Sequence, residues 1–257
     1  MSFTFGTFNS DSLGLIATLR DLPSLGGLRL ETLEAPGTDG LFFGGATVSS
    51  ARYVFDVVIQ GTTPQDAHGK RDALILALDP KRGERDLTFD AASGWRWTAI
   101  PSAPVEWERL TWSPRLYQLR GDVTFEALSG YGRLVDDEAW EYSSAGSRTV
   151  SRQKGNTVSY PTVEIQGTLS ATQTVTVTVG NVPVRVSGPL TAAQVLRLDW
   201  DRFDFGRWQG ATKVASVVRS MSTLDRPEMW PNTTTTFAVA TTGTVTKARL
   251  RANSRRQ

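Results

Sequence analysis

The sequence predicts a mainly β protein with one helix, and three observations support this fold class. Residues 174–179 read Thr-Val-Thr-Val-Thr-Val, so every apolar side chain lies on one face of an extended strand. Short apolar segments bounded by Gly, Pro, Asn or Asp recur along the chain, which is typical of sandwiches and barrels. A helix-start signal followed by helically spaced apolar residues indicates a helix at 64–78.

The alternating segment opens a predicted β-hairpin over 174–187. Gly180-Asn181 supplies a two-residue turn, and the alternation resumes at Val182, Val184 and Val186. Other strands are predicted where apolar segments lie between turn residues. They are Tyr53–Ile59, Trp95–Ile100, Tyr117–Phe125, Thr162–Ile165, Val195–Trp200, Lys213–Val218 and Thr235–Thr241.

The predicted helix has recognisable ends. Thr63 is suited to the N-cap, Pro64 to the first helical position, and Asp66 to the positive end of the helix dipole. The helix ends at Asp79-Pro80, because a residue before proline disfavours the α conformation. One face carries the apolar residues Ala67, Leu74 and Leu78. This stripe predicts that the helix covers a sheet.

Charge and composition divide the chain. Residues 1–142 hold 13 basic and 20 acidic residues, a net charge of −7, whereas residues 143–257 hold 15 basic and 6 acidic residues, a net charge of +9. The small polar run 143–147 follows an acidic cluster, so we place the boundary there. We predict an N-terminal domain at 1–142, a second β-sandwich at 143–246 and a basic tail at 247–257. Such a tail binds nucleic acid or an acidic neighbour, or is simply solvated.

Composition also limits the chemistry. The chain has no cysteine, which excludes zinc–cysteine sites, iron–sulfur clusters and cysteine nucleophiles. Its only histidine is His68, so a catalytic triad has one ring available. Asp66 and Asp72 lie near it, and the alternative is an exposed helix histidine with surface ion-pair partners. We therefore expect no enzyme activity, no cofactor and no metal.

Two groups of acids are candidate sites. Asp199, Asp201 and Asp204 in LDWDRFDFG are spaced like oxygen ligands for calcium, but the glycine and distal glutamate of a calcium loop are missing. The alternative is a strand whose aromatic residues enter the core. Glu106 and Glu108 would face the same side of a strand, as a sugar-cleaving pair or as ordinary solvent-facing acids.

Aromatic residues and glycines provide further candidates. Trp200, Trp208 and Trp230 could form a platform for sugar rings, although tryptophan more often packs in a core or an interface. The glycines Gly37, Gly40, Gly44 and Gly45 do not precede a helix and are interpreted as turns around the triplet 41–43. The uncharged stretch 165–184 is rich in Thr, Gln, Ser, Gly and Asn, so we expect no membrane insertion.

Several segments in order carry a family resemblance. FTFGTFNSDSLGL at the start is followed by APGTDGLFFGG, YVFDVVIQG, DALILALDP and RDLTFDAASGWRWTAI, and in the second half Lys154-Gly155-Asn156 precedes YPTVEIQG. This order resembles the distal tail proteins of long-tailed bacteriophages, the siphoviruses. In that family an opening strand leads to a Pro-Gly-x-Asp-Gly turn, here at 36–40, and the helix ends in Leu-x-Pro, here at 78–80. One departure is Trp230-Pro231-Asn232-Thr233, where the family often has Pro-Gly-x-Asn.

The resemblance implies a fold and a role. The N-terminal domain would be a β-sandwich or barrel-like ring domain with one helix, and the second domain a galectin-like β-sandwich. Six copies would form a ring that joins the tail tube protein to the hub or fibre protein and lets DNA pass without specific binding. The protein would be part of the virion tail tip, made in the host cytoplasm, since the N-terminus lacks secretory signal features. A tail-tube or other baseplate subunit would share this ring arrangement.

Self-association residues are predicted from apolar residues in glycine-flanked segments, which often become buried on assembly. These are Phe3, Phe5, Leu41, Phe42 and Phe43. The alternative function from a different class is a carbohydrate-binding accessory or adhesion protein that uses the second sandwich.

Overall fold

The computed structural model describes residues 1–21, 27–33 and 42–257. The predicted turn at 36–40 and Leu41 lie outside the described residues. Two structural units are present, the first formed by residues 1–135 with Gln257 and the second by residues 136–256. The fold class predicted from the sequence, mainly β with one α-helix, is confirmed within the described residues.

The first unit consists of strands around one helix. Its strands are β1 (Phe3–Phe5), β2 (Phe8–Asn9), β3 (Ile16–Asp21), β4 (Leu28–Leu33), β5 (Phe42–Val48), β6 (Ala51–Gly61), β7 (Arg85–Phe89), β8 (Trp95–Pro101), β9 (Trp107–Ser113), β10 (Leu116–Ala127) and β11 (Gly132–Leu134), and the helix is α1 (Pro64–Ala77). The main sheet has the order β2-β1-β7-β8-β10-β6-β3, with β9 on β10 and β11 on β8. All these pairs are antiparallel where their register is defined.

This sheet curls strongly. Three strands separate β1 from β6, so in a flat sheet the two would lie about 19 Å apart. The rings of Phe3 and Phe55 nevertheless have centroids 4.9 Å apart. The sheet therefore folds back on itself, and its inner face encloses an aromatic core with the members Phe3, Phe5, Tyr53, Phe55, Phe89, Trp97 and Phe125.

Helix α1 begins as the sequence predicts. The Thr63 hydroxyl accepts a hydrogen bond from the backbone N–H of Asp66, and Pro64 is the first helical residue. Ala67 and Leu74 are fully buried in the core of the first unit. A Cβ on Gly61 would lie 2.6 Å from the backbone nitrogen of Ala67. Glycine at the end of β6 thus allows the helix to pack closely on the sheet.

Strands β4 and β5 form a separate two-stranded sheet. Glu31 is opposite Gly45 and Thr32 is opposite Phe43, so Gly44 is an extra residue in the ladder. The interpretation of Gly44 and Gly45 as turn residues was wrong, since both lie inside β5. Glycine in a strand often marks such a bulge, and the sequence alone does not distinguish it from a turn.

The second unit is a β-sandwich. Its strands are β12 (Ala139–Tyr142), β13 (Gly146–Ser151), β14 (Thr162–Thr168), β15 (Thr174–Val179), β16 (Val182–Ser187), β17 (Val195–Asp199), β18 (Asp204–Gln209), β19 (Thr212–Ser216), β20 (Thr234–Thr241), β21 (Thr244–Arg251) and β22 (Arg255–Arg256). One sheet has the order β12-β21-β14-β17-β18-β19 and the other β13-β20-β15-β16. Valines and leucines from both sheets, with Trp200 and Phe237, share one buried core. The hairpin predicted at 174–187 is formed by β15 and β16.

The units divide between Val135 and Asp136, whereas the sequence placed the boundary at 142/143. The difference arises because β12 pairs with β21 and so belongs to the second sandwich. The segment assigned to a basic tail is also part of this unit. Ala248 and Leu250 are 1% and 0% exposed, while Lys247, Arg249 and Arg251 alternate with them on the other face of β21.

Candidate interaction surfaces

The candidate acid–base residues of helix α1 are not brought together. One carboxylate oxygen of Asp66 accepts hydrogen bonds from the backbone N–H of Thr62 at 3.0 Å and from Lys70 at 3.3 Å. Asp72 is paired with its neighbour Arg71 at 2.8 Å. The ring of His68 lies 5.8 Å from that of Trp112. Asp66 and Asp72 thus interact with residues close to them in the sequence. No nucleophile–base arrangement is formed among Asp66, His68 and Asp72.

The three aspartates of the candidate calcium loop also have separate partners. Asp199 accepts hydrogen bonds from the backbone N–H groups of Asp201 and Arg202, each at 3.0 Å. Asp201 is paired with Arg255 and Asp204 with Lys213. Within the described part of the chain, no group of three or more His, Asp or Glu side chains is arranged to hold a metal ion. Nor is any helix there both long and apolar enough to cross a membrane.

A charged groove of about 1130 Å³ follows the outer face of the sheet in the first unit. Neighbouring strands place opposite charges side by side across it. Arg120 of β10 lies 2.5 Å from Asp56 of β6, and Arg20 of β3 lies 2.7 Å from Asp122 of β10. The remaining charged lining residues are Arg52, Glu106 and Glu108. The two glutamates thus face the same side, among arginines.

The ion pair at Asp56 shifts both of its groups. The hydrogen bond from Arg120 is the main reason that the pKa of the Asp56 carboxyl lies below its ordinary value. Partial burial opposes this shift, and the charges of Arg120 and Arg20 add to it. The same hydrogen bond raises the pKa of Arg120. The pair therefore stabilises the ionised form of Asp56.

Replacing Asp56 with asparagine is expected to lower the free energy of unfolding at pH 7 by about 0.5–1 kcal/mol, since Arg120 is half exposed and solvent screens the pair. Because the folded-state pKa is depressed, this stabilisation is complete above the ordinary aspartate pKa of about 3.9 and is lost as the pH falls through the lower folded-state value. Urea unfolding at several pH values measures the difference. Glu106→Gln is the control, as Glu106 lines the same groove and forms no ion pair among the described residues. An equal loss for Asp56→Asn at every pH would contradict this account.

An apolar groove of about 880 Å³ lies at the C-terminal end of helix α1. Its walls are the exposed helix residues Ile75 and Leu76 and the chain segment 101–105. Ile75 is 48% exposed and Leu76 is 60% exposed. Large apolar side chains exposed together are unusual on a monomer surface and mark an interaction site.

The two grooves form one continuous surface, because both are lined by Ala103, Pro104 and Thr124. Gly121 allows the segment 105–107 to pack closely on the strand β10. A Cβ on this residue would lie 2.7 Å from Val105 and 3.0 Å from the ring of Trp107. An apolar centre beside a charged border is the arrangement found in protein–protein interfaces.

Two of the predicted self-association residues lie in the core. Phe3 and Phe5 are 1% and 0% exposed, and their rings pack on Phe125 at 5.5 and 4.9 Å. Their side chains therefore already pack against other residues of the same chain. Leu41 lies outside the described residues, and Phe42 and Phe43 belong to β5. Their role in self-association stays a prediction.

The three candidate tryptophans of the second unit have different environments. Trp200 is fully buried and Trp208 is covered by Arg197, whose guanidinium lies 4.8 Å from the ring centroid. Trp230 is 54% exposed. The sequence did not distinguish them, because each is flanked by strand or turn residues. Of the three, Trp230 presents the largest surface to a ligand.

Three bases of the C-terminal segment, Lys247, Arg249 and Arg255, have acidic partners in the same unit. Lys247 and Arg249 lie 2.9 and 3.3 Å from Glu141, and Arg249 lies 3.8 Å from Glu164. Asp137 accepts hydrogen bonds from the backbone N–H groups of 253 and 254. The acidic cluster at 136–141 and the basic segment thus stabilise each other.

Taken together, the fold and its surfaces define a two-unit β protein with the features of an assembly component. Residues 9–127 match the family model described as phage tail protein RIFT-related domain. The SPP1 Dit protein, described as a paradigm of the hub adsorption apparatus in Gram-positive infecting phages, has a similar fold, with a TM-score of 0.70, 12% identity and 97% of each chain covered. The predicted resemblance to distal tail proteins is thereby confirmed.

Two structures of the phage P2 baseplate in its activated conformation are also similar. The calcium form has a TM-score of 0.41 and 7% identity, and the strontium form has a TM-score of 0.44 and 8% identity. Each alignment covers 99% of this chain and 90% of the matched chain. No curated protein matches the chain in sequence. The family model identifies a phage tail domain at 9–127, and the similarity to SPP1 Dit shows the fold.

Proposed function

We propose that six copies of this protein form a ring at the distal end of a phage tail, joining the tail tube protein to the hub or fibre protein. The observation that carries the proposal is a phage tail domain at 9–127 within a fold that matches SPP1 Dit over 97% of both chains. The role is structural and not enzymatic, which is consistent with acids that are paired locally. The protein is made in the host cytoplasm and assembled into the virion.

The first unit forms the ring in this proposal. A ring requires a head-to-tail interface in which two different patches of each subunit meet. The continuous surface made by the apolar and charged grooves supplies one of these patches. Its apolar centre at Ile75 and Leu76 would be buried by a second copy, and its charged border would fix the register of that copy.

The ring would line a channel through which DNA passes without specific binding. The first unit, residues 1–135, holds 13 basic and 16 acidic residues, and its net charge of −3 supports this, because acidic walls repel phosphate. A hexamer reconstruction with these acids directed toward the lumen is the expected result. Acids directed to the outer rim would contradict the channel proposal and leave the ring proposal intact.

The mass of the purified full chain in solution tests the ring. Light scattering after size exclusion is expected to give six subunits or a multiple of six, and negative-stain images are expected to show closed rings. Because some ring proteins assemble only on a template, the same measurement is repeated with the purified tail tube protein. A monomer under both conditions would contradict the proposal.

A further inference from the structure

The groove beside Trp230 in the second unit has a different character from the surfaces of the first. It has a volume of about 480 Å³ and is formed by three chain segments. These are the tip of the β15–β16 hairpin at 179–182, the loop containing 226–230, and the beginning of β20 at 233–236. We propose that this groove binds a neutral polysaccharide, with the indole of Trp230 stacking on a sugar ring.

Trp230 is held in place as an exposed platform. Its neighbour Met229 is 0% exposed and exchanges two backbone hydrogen bonds with Ser159, at 2.9 and 3.0 Å. The indole Nε1–H donates to Glu228 at 3.2 Å, which fixes the orientation of the ring. Thr233 donates its hydroxyl to the carbonyl of Trp230 at 2.9 Å. An indole that is already fixed before binding loses less conformational entropy when the ligand binds.

The other two walls are equally well anchored. The backbone N–H of Gly180 at the hairpin tip donates to the carbonyl of Thr236 at 2.8 Å. The backbone N–H of Asn232 donates to the carbonyl of Arg152 at 2.7 Å. The groove therefore consists of short segments tied to the sandwich by backbone hydrogen bonds.

The chemistry of the lining suits a sugar. The apolar face of a pyranose packs on an indole, while its hydroxyls need both donors and acceptors around the ring edge. Asn181 supplies an exposed amide, and Thr234 and Thr236 supply hydroxyls on the exposed side of β20. In the described part of the chain, no side-chain hydrogen bond is made by any of these three. Their polar groups are available to a ligand.

The charge of the groove indicates a neutral ligand. Its lining contains one base, Arg226, and one acid, Glu228. Arg226 stacks on Tyr160, with its guanidinium carbon 3.2 Å from the ring centroid, and donates to the carbonyl of Trp200 at 3.0 Å. Since this arginine is used within the fold and Glu228 is beside the indole, a phosphate or uronate would meet no unmatched positive charge. A neutral glycan fits these groups better.

Titration of the full chain with three neutral hexasaccharides, namely chitohexaose, cellohexaose and maltohexaose, tests the proposal. At least one is expected to bind, by isothermal titration calorimetry and by saturation-transfer NMR that places sugar protons against an indole. Trp230→Ala is expected to weaken binding by about tenfold or more, the factor that corresponds to losing one stacking contact. Asn181→Ala is expected to give a smaller loss, and Trp230→Phe to retain part of the affinity.

The matched control is Trp112→Ala, which removes a tryptophan that is 37% exposed on β9 of the first unit. It is expected to bind with unchanged affinity. Unfolding midpoints of all variants show whether the fold is kept. The proposal is overturned if none of the three hexasaccharides binds the wild-type chain at millimolar concentration, or if Trp230→Ala and Trp112→Ala bind equally well. Neither outcome bears on ring formation, which depends on the first unit.

Discussion

Replacing Phe125 with alanine is expected to lower the free energy of unfolding of the first unit by about 3–5 kcal/mol. Phe125 is 0% exposed at the centre of the aromatic core. Its ring centroid lies 5.5 Å from that of Phe3, 4.9 Å from that of Phe5 and 5.8 Å from that of Phe55. Removing it takes away two of the ring contacts through which β1 packs across the curled sheet. The loss therefore combines hydrophobic transfer with a cavity that rigid neighbours cannot fill.

Urea unfolding of the full chain measures this effect. The matched control is Leu116→Ala on the same strand, because Leu116 is 38% exposed and its removal is expected to cost less than about 1 kcal/mol. Phe125→Leu, which leaves a smaller cavity, is expected to fall between the two. Equal destabilisation by Phe125→Ala and Leu116→Ala would show that the aromatic cluster does not hold the sheet closed.

Replacing Leu76 with glutamate is expected to abolish ring assembly while leaving the fold intact. Leu76 is 60% exposed and lines the apolar groove, so a charge is tolerated there in the monomer. In the proposed interface the same charge would be buried against apolar groups without a partner, at a cost of several kcal/mol per contact. A closed ring repeats this contact at every subunit, and the cost accumulates around it.

Light scattering gives the masses of the variant and of the wild type under the same conditions. Leu128→Glu is the control, since Leu128 is 46% exposed and does not line either groove. It is expected to assemble like the wild type. If the Leu76→Glu variant forms rings, this groove is not the interface. The proposal that the protein forms a hexamer would still stand. A monomeric wild type would instead count against the ring.

Local patterns predicted the elements that depend on nearest neighbours along the chain. The Thr-Val alternation gave the β15–β16 hairpin, and Thr63 with Pro64 gave the start of α1. The Gly44 bulge was missed, because a glycine that interrupts a ladder and a glycine that makes a turn have the same sequence signature. The strand β21 was assigned in part to a tail, because the five bases of 247–257, three of them in β21, outweighed the alternation of Ala248 and Leu250.

The candidate site residues were likewise predicted only in part from the sequence. Sequence analysis listed three tryptophans of the second unit, but exposure separates Trp230 from Trp200, and exposure depends on which strands pack above each ring. Likewise, Phe3 and Phe5 were predicted to take part in self-association because each lies in a short glycine-flanked segment. Their burial follows from the closing of the sheet, which brings β1 onto β6 and β10.

What the sequence by itself determined is the mainly β class, the hairpin, the helix and the order of segments that resembles distal tail proteins. These depend on side-chain periodicity, capping and turn residues, which act over a few positions. Only the tertiary structure decided which apolar residues are enclosed, which acids meet bases, and where the two continuous grooves lie. The physical reason is that burial and ion pairing arise between residues such as Phe3 and Phe125, or Asp56 and Arg120, whose contact is set by the curvature and order of the strands.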